Sequence, residues 1–190
     1  MDLIQAIMGR RSIRSFSNSR VPISIIEQLL GCATAAPNPH NSRPWHFIAI
    51  DDEGMKERLA SSLVNSYRES GQEDKAILES ARLKTIAPPL TIIGCVDKRM
   101  LKKDNDLEYM MATQGLAAAA ENILLAATAL GLCGYWRAAP LTCMSAVRNA
   151  LAIPEYVDPQ WMLHIGFAGE ASKKARVNEP KENAIHYNGW

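Results

Sequence analysis

The stretch LEYMMATQGLAAAAENILLAATAL, residues 107–130, carries the strongest structural signal in this chain. It is rich in alanine, the residue with the highest helix propensity, and it predicts one long helix over those residues. Glu121 and Asn122 interrupt its apolar run, whereas a bilayer span needs roughly 20 apolar residues with few or no charges. We therefore expect a buried core helix, whose wide alanine face packs against another helix or across a subunit interface.

The segments on either side of this helix alternate between amphipathic and apolar patterns. Amphipathic spacing or a capping residue predicts helices at 2–9, 22–35, 54–70, 73–85 and 142–151, the last with Thr142 as its N-cap. Short runs of β-branched and aromatic residues predict strands at 45–50, 90–96 and 161–168. This order of elements predicts an α+β fold with helices on both faces of a sheet.

Composition limits the classes of function that are open to the chain. Its 190 residues are 47% hydrophobic and 22% charged, which is typical of soluble globular proteins and predicts one domain, or at most two small ones. Lys and Arg number 21 and Asp and Glu number 20, so the formal net charge is +1. Such a balance argues against a nucleic-acid-binding protein and against attachment to an anionic membrane.

The cysteines give no sign of a metal centre. None of Cys32, Cys95, Cys133 and Cys143 forms a C-x-x-C pair or shows the spacing of zinc ligands, so no metal site is predicted. Most of them lie in apolar stretches, which favours a reducing compartment. The first residues also lack the apolar run and cleavage site of a secretory signal. We therefore expect a cytoplasmic protein.

The sequence RRSIR at residues 10–14 directly follows the first predicted helix. Arginine forks match phosphate oxygens, and the Ser12 hydroxyl adds another donor, so this segment is a candidate phosphate site. A solvated basic turn is the simpler interpretation. A nucleic-acid patch is less favoured, because no aromatic stacking platform accompanies the arginines.

Three other segments are weaker candidates. The proline-rich loop at 37–44 is stiff enough to pre-place polar groups around a planar ring, or it is only a connection before a strand. Small residues at 131–140 let a ligand approach backbone N–H groups, or they form an ordinary turn. Lys174 and Arg176, if extended, point the same way toward one anion, or they belong to a solvated tail.

Other catalytic motifs are missing from the sequence. It contains no G-x-S-x-G, no G-x-x-x-x-G-K-[ST] and no G-x-G-x-x-G, so hydrolase, P-loop and Rossmann interpretations lose their usual support. The histidines are scattered without metal-ligand spacing. His164 lies in an apolar run and is predicted to be a core residue with its hydrogen bonds satisfied.

Taken together, the four segments resemble the nitroreductase family of FMN-dependent oxidoreductases. RRSIR at 10–14 is similar to that family's R-R-S-x-R opening, and NSRPW at 41–45 resembles its N-x-Q-P-W loop, with Arg43 in place of the usual glutamine. The stretch 114–136 is similar to its long central helix and G-L-G-x-x-W turn. KAR at 174–176 resembles its C-terminal K-x-R, so the resemblance covers essentially the whole chain.

The resemblance implies a fold and a set of ligand contacts. The fold would be a three-layer α/β/α sandwich around a mainly antiparallel sheet, with residues 1–190 as one FMN-binding domain in an intertwined homodimer. Cations near both ends would hold the FMN phosphate, a loop from the partner subunit would cover the ring, and backbone N–H groups would face its N5–O4 edge. The implied FMN-binding residues are Arg10, Arg11, Ser12, Arg14, Pro37, Asn38, Pro39, Asn41, Gln114, Ala138, Ala139, Lys174 and Arg176.

The same resemblance implies an activity. NAD(P)H would reduce the flavin, and a nitroaromatic, quinone or similar conjugated acceptor would reoxidise it in a ping-pong cycle. The flavin carries this chemistry itself, so no catalytic side chain is assigned. Pro39, His40 and Arg43 depart from the family's usual residues. Two alternatives therefore stay open: a specialised flavin enzyme of cofactor metabolism, either like a deazaflavin-precursor dehydrogenase or flavin-consuming, and a non-catalytic flavin-binding module.

Overall fold

Helices make up most of the structure, a computed structural model that describes residues 1–170 and 186–188. Lys174 and Arg176 lie outside the described residues. Aspartate or asparagine side chains cap four of the helices, at Asp2, Asp52, Asp74 and Asn105. The helices are α1 (Leu3–Gly9), α2 (Ile23–Thr34), α3 (Glu53–Glu69), α4 (Lys75–Ile86), α5 (Asp106–Ala129), α6 (Ala139–Thr142) and α7 (Met144–Leu151).

Four antiparallel strands form one sheet in the described part of the chain. They are β1 (Trp45–Ile50), β2 (Leu90–Asp97), β3 (Cys133–Arg137) and β4 (Val157–Gly166), in the spatial order β1-β2-β4-β3. Every residue of β2 is buried, and β4 is buried except at Gln160. The two central strands are therefore buried along almost their whole length, while β1 and β3 are the outer strands.

The two faces of the sheet are covered by different helices. Ile92 packs with α2 and α5 on one face, and its neighbour Ile93 packs with α3 and α7 on the other. This alternation follows from the two-residue period of a β-strand. The α+β fold with helices on both faces of an antiparallel sheet is therefore confirmed, as is the long alanine-rich helix at its centre.

Three local predictions were wrong or incomplete. Thr142 does not cap α7, because its hydroxyl donates to the Ala139 carbonyl at 3.3 Å and Cys143 holds the N-cap position without a side-chain bond. Strand β3 was not predicted, since its small residues indicated a turn. Strand β4 begins before Trp161, at Val157. Pro159 concealed this start, and it is accommodated because β3 pairs with β4 only from Met162 onward.

Helix α1 leaves its apolar side exposed. Leu3 and Ile4 are each 66% exposed, Met8 is 56% exposed, and only Ala6 of this helix is buried, where α1 packs against α5. A contiguous apolar face of this kind is typical of an interaction surface. No helix in the described part of the chain is long and apolar enough to cross a membrane.

Candidate functional site

The arginine-rich segment after α1 lies alongside β3. The backbone N–H of Ile13 donates to the carbonyl of Gly134 at 3.1 Å, and Ser12 forms an isolated parallel bridge with the same glycine. A Cβ at Gly134 would lie 2.6 Å from the His164 carbonyl oxygen, so only glycine allows β3 to lie this close to β4 here. The segment is therefore fixed against the sheet and is not a free turn.

Its cations differ in how they are engaged. Arg10 donates from Nε to Glu121 of α5 at 3.1 Å, which leaves its two terminal nitrogens without a partner among the described residues. Arg11 donates to the carbonyls of Met8 and Arg10. Arg14 is exposed and has no carboxylate within ion-pair distance in the described ranges. The segment consequently presents more positive charge than its neighbours neutralise.

Arg14 lies over a buried aromatic ring. Its guanidinium carbon is 5.3 Å from the centroid of the Tyr135 ring, and the other neighbours of that ring include Phe16 and His164. Burial raises the pKa of Tyr135, although Arg137 and Arg14 act in the opposite direction. The phenol is therefore a neutral platform that holds Arg14 through a cation–π contact.

The buried His164 beneath this platform is neutral as well. Its Nδ1 lies 2.9 Å from the Thr91 hydroxyl, but its Nε2 has no hydrogen-bond partner among the described residues, so the predicted core histidine is only half satisfied. Burial lowers the pKa of His164 to about 3, and the charge of Arg137 acts in the same direction. No ionised form of this ring is available near neutral pH.

The far end of β3 leads into Ala138 and Ala139, which belong to the candidate segment at 131–140. Ala138 is exposed and is the N-cap of α6, and Ala139 is its first, buried residue. Backbone N–H groups at a helix start have no acceptor within the helix. Gly134 and Ala138 are four residues apart on an extended chain, about 13 Å at the rise of a β-strand. An elongated ligand along β3 would thus span both segments.

The proline-rich loop packs closely on α5. A Cβ at Gly115 would lie 2.8 Å from the Pro37 carbonyl oxygen, so the helix offers a glycine where the loop crosses it. Asn38 accepts at Oδ1 from the Arg43 backbone N–H at 2.8 Å and closes the loop on itself. Gln114, beside this crossing, is exposed.

Three residues of this loop adopt the left-handed conformation that favours glycine. The φ angles are +55° at His40, +53° at Asn41 and +50° at Arg43. Such conformations cost of order 1–3 kcal/mol each and persist only where the surroundings impose them. The loop therefore holds its polar side chains in a fixed arrangement.

A buried carboxylate anchors the tip of the loop. Nε2 of His40 lies 2.9 Å from Oε1 of Glu108, whose side chain is only 3% exposed, whereas the His40 side chain is 45% exposed. Glu108 stands in the first turn of α5, where the helix dipole favours a negative charge. Its pattern with Asn105, N-x-x-E, indicates only a helix start, so sequence reasoning missed this contact.

The structure brings together some predicted residues and separates others. Arg10, Arg11, Ser12 and Arg14 lie on one segment near Glu121, whereas the 37–41 loop contacts α5 near Glu108. Those two glutamates are thirteen positions apart on α5, which is about 20 Å along the axis. The tip of the loop is therefore distant from the arginine segment of its own chain, whereas Pro37 crosses α5 at Gly115, about 9 Å along the axis from Glu121. Glu121 and Tyr135, which position Arg10 and Arg14, carry no motif that would have revealed them.

Comparison with known proteins decides the family. The model of the nitroreductase family matches residues 7–167. The chain belongs to the nitroreductase family. A relative from Methanothermobacter thermautotrophicus, named "Putative NADH dehydrogenase/NAD(P)H nitroreductase", is 31% identical over 192 residues, covering 100% of this chain and 88% of that protein. The resemblance drawn from the sequence motifs is confirmed.

Two solved structures share the fold of this chain. An FMN-dependent nitroreductase from Clostridium difficile R20291 is 25% identical, with a TM-score of 0.74 over 98% of this chain and 99% of that one. An NADPH:FMN oxidoreductase from Vibrio harveyi, solved with NAD+, is 18% identical, with a TM-score of 0.79 over 99% of this chain and 77% of that one. The latter likeness concerns the fold alone.

Proposed function

We propose that this protein uses NAD(P)H to reduce a nitroaromatic, quinone or similar conjugated acceptor, taking its two substrates in turn in a ping-pong cycle. It is an FMN-dependent oxidoreductase of the nitroreductase family. FMN supplies the redox chemistry, since it accepts and returns a hydride equivalent.

The donor set on the described residues fits the tail of FMN. A phosphate dianion needs several cations and hydroxyl donors, and the 10–14 segment supplies three guanidiniums and the Ser12 hydroxyl. Among the described residues, Glu121 is the carboxylate that pairs with them, so a positive excess remains. This fixed cationic segment along β3 is the observation that carries the proposal. Lys174 and Arg176 would add two further cations.

The chain's own groups would orient the ring. We propose that the backbone N–H groups of Ala138 and Ala139 face the N5–O4 edge and that Arg14, held over Tyr135, reaches the N1–O2 edge. A fixed cation at N1–O2 stabilises negative charge that develops there on reduction. These placements need a ligand that runs along β3, and the spacing of the two segments supports one.

The proposed homodimer would complete the site. The 37–41 loop crosses α5 at Gly115, about 9 Å along the axis from Glu121, and its tip reaches Glu108, about 20 Å from Glu121. We propose that this loop, with Pro37, Asn38, Pro39 and Asn41, serves the cofactor of a partner. Gln114 would lie near the seam. The exposed apolar face of α1 supports such an interface. We further propose that residues 1–190 form one domain and that the protein is cytoplasmic.

An anaerobic titration tests the proposal. Purified protein loaded with FMN should lose its yellow colour on addition of NADH or NADPH, and should regain it when a quinone or nitroaromatic is added. Product inhibition patterns with both substrates varied test the ping-pong order. Bound flavin that neither nucleotide reduces would contradict the proposed reaction and favour a flavin-binding module.

A further inference from the structure

Resting on the proposed function, we infer that His40, held by Glu108, is the general acid that protonates the acceptor during its reduction. The pair joins an imidazole that is partly exposed to a carboxylate that is almost fully buried, at 2.9 Å. His40 is the catalytic residue of the pair, and Glu108 is its positioning residue.

Glu108 is suited to hold the His40 ring in one orientation. Its Oε2 is buried without a hydrogen-bond partner among the described residues, so Nε2 of His40 is the partner that compensates the carboxylate's burial. A buried carboxylate bonded to one ring nitrogen fixes the orientation of an imidazole. Arg43 on the loop, and Asp106 and Glu108 in the first turn of α5, are the charged groups on the two elements that pack there.

The backbone conformation holds His40 in a defined turn against α5. His40 stands at +55° in φ within the 3-10 turn Pro39–Asn41, and the turn is pinned to α5 where it crosses Gly115. With Nε2 engaged by Glu108, Nδ1 is the ring nitrogen without a hydrogen-bond partner among the described residues. The loop that carries it is the one proposed to cover a partner's cofactor. His40 of one subunit would therefore act at the site of the other.

The proton and electron balance is complete without a further reactant. NAD(P)H provides the two electrons and one hydrogen, which reach the acceptor as a hydride equivalent through the cofactor. The Nδ1–H of the imidazolium provides the second hydrogen as a proton to the acceptor oxygen. The ring is left neutral, with Nε2–H still donated to Glu108, and solvent reprotonates Nδ1. A quinone then leaves as its hydroquinone.

The decisive variant keeps the bond to Glu108 but removes the proton. In His40→Gln the side-chain amide still donates to the carboxylate, yet it is no acid. Its rate of acceptor reduction should fall on the order of 100-fold, at the low end of what general acid catalysis contributes. The alkaline fall in the wild-type pH profile of this half-reaction should also disappear. Bleaching by NAD(P)H tests the proposed function separately.

His46→Gln is the matched control. His46, on strand β1, pairs with the buried Asp97 at 3.2 Å, and its side chain is 53% exposed. It is therefore a second pair of an exposed histidine with a buried carboxylate. Its acceptor kinetics should match those of the wild type. Histidine 15N spectra of the FMN-loaded protein give a second readout: neutral His40 should carry its proton on Nε2, and Glu108→Gln should weaken that preference.

Three outcomes would overturn the inference. If His40→Gln reduced the acceptor at the wild-type rate and with the wild-type pH profile, and bleached normally, the pair would only stabilise the structure. A neutral His40 protonated on Nδ1 would exclude the proposed geometry. A wild-type protein that binds FMN but is never bleached would remove the proposed function and this inference with it, and so the two failures are told apart.

Discussion

Gly115 of α5 and Pro37 of the proline-rich loop meet so closely that a Cβ on the glycine would lie 2.8 Å from the proline carbonyl oxygen. The obstructing atom belongs to the backbone, so no side-chain rotation relieves the contact. The crossing fixes the distance between the loop and α5. It therefore fixes His40, whose Nε2 reaches Glu108 two turns earlier on α5.

Replacing this glycine should destabilise the protein. Gly115→Ala gains up to about 1 kcal/mol of helix propensity, but overpacking costs about 1–3 kcal/mol, so we expect a net loss of about 1 kcal/mol in urea unfolding. Gly31→Ala in α2 is the control. Nothing lies within 4 Å of its Cβ, and it should gain about 0.5–1 kcal/mol. Equal gains in both variants would contradict the close crossing.

Removing one cation should weaken FMN binding. Arg10→Ala deletes a guanidinium whose terminal nitrogens have no partner among the described residues, and a hydrogen bond to a charged group contributes about 1.5–3 kcal/mol. We expect the FMN dissociation constant to rise roughly 10- to 100-fold in a fluorescence titration. Arg176→Ala, outside the described residues, should act in the same direction.

Arg68→Ala supplies the control for that titration. Arg68 is a solvent-facing arginine on α3 that donates to Asn65, and its loss changes the net charge by the same amount. Its FMN affinity should match the wild type. Unchanged affinity in both Arg10→Ala and Arg176→Ala would rule out the phosphate assignment.

A charge on the apolar face of α1 should dissociate the proposed dimer. Ile4 is 66% exposed, and burying an aspartate in its place at an interface is unfavourable. Ile4→Asp should sediment as a monomer and lose bound FMN, whereas Ile77→Asp on α4, at a site 48% exposed, should remain dimeric. A stable, FMN-loaded wild-type monomer would refute the dimer.

His164 should make the protein less stable in mild acid. Burial lowers the pKa of His164 to about 3, whereas an unfolded histidine titrates near 6.5. Between those values the unfolded state binds a proton that the folded state does not. The free energy of unfolding should therefore fall as pH drops from about 6.5 toward 3, by up to about 1.4 kcal/mol per pH unit.

His164→Asn isolates this contribution. The asparagine amide can keep the contact with the Thr91 hydroxyl but does not titrate. Urea unfolding of the variant between pH 7 and 5 should show a shallower loss of stability than the wild type, whatever its absolute stability. Identical slopes in the two proteins would mean that His164 is not responsible.

Sequence patterns predicted well the helices and strands that are determined by neighbouring residues. Strand β1 has the predicted bounds, and α5 differs from its prediction by one residue at each end, because β-branched runs and alanine propensity act over neighbouring residues. The start of α7 was misplaced because Thr142 bonds back to Ala139 within the preceding helix. Sequence alone had no means of knowing that α6 exists.

The candidate site depended on contacts between distant parts of the chain. The RRSIR motif gave the residue types, but the position of the segment comes from the hydrogen bond of Ile13 to Gly134. Likewise, Glu108 pairs with His40 from 68 positions away, and no short motif encodes that pairing. Family resemblance supplied the candidate residues, and the fold supplied the partners that hold them.

The bridge between Ser12 and Gly134 has a consequence for solubility. Strand β3 has β4 on one side, and residues 12–13 cover part of the other, where unpaired N–H and C=O groups would otherwise template aggregation. A ligand that binds only the folded state stabilises it. Bound FMN would also keep residues 12–13 against the edge of β3. Protein made in cells starved of riboflavin should therefore form inclusion bodies more readily than protein made with ample vitamin.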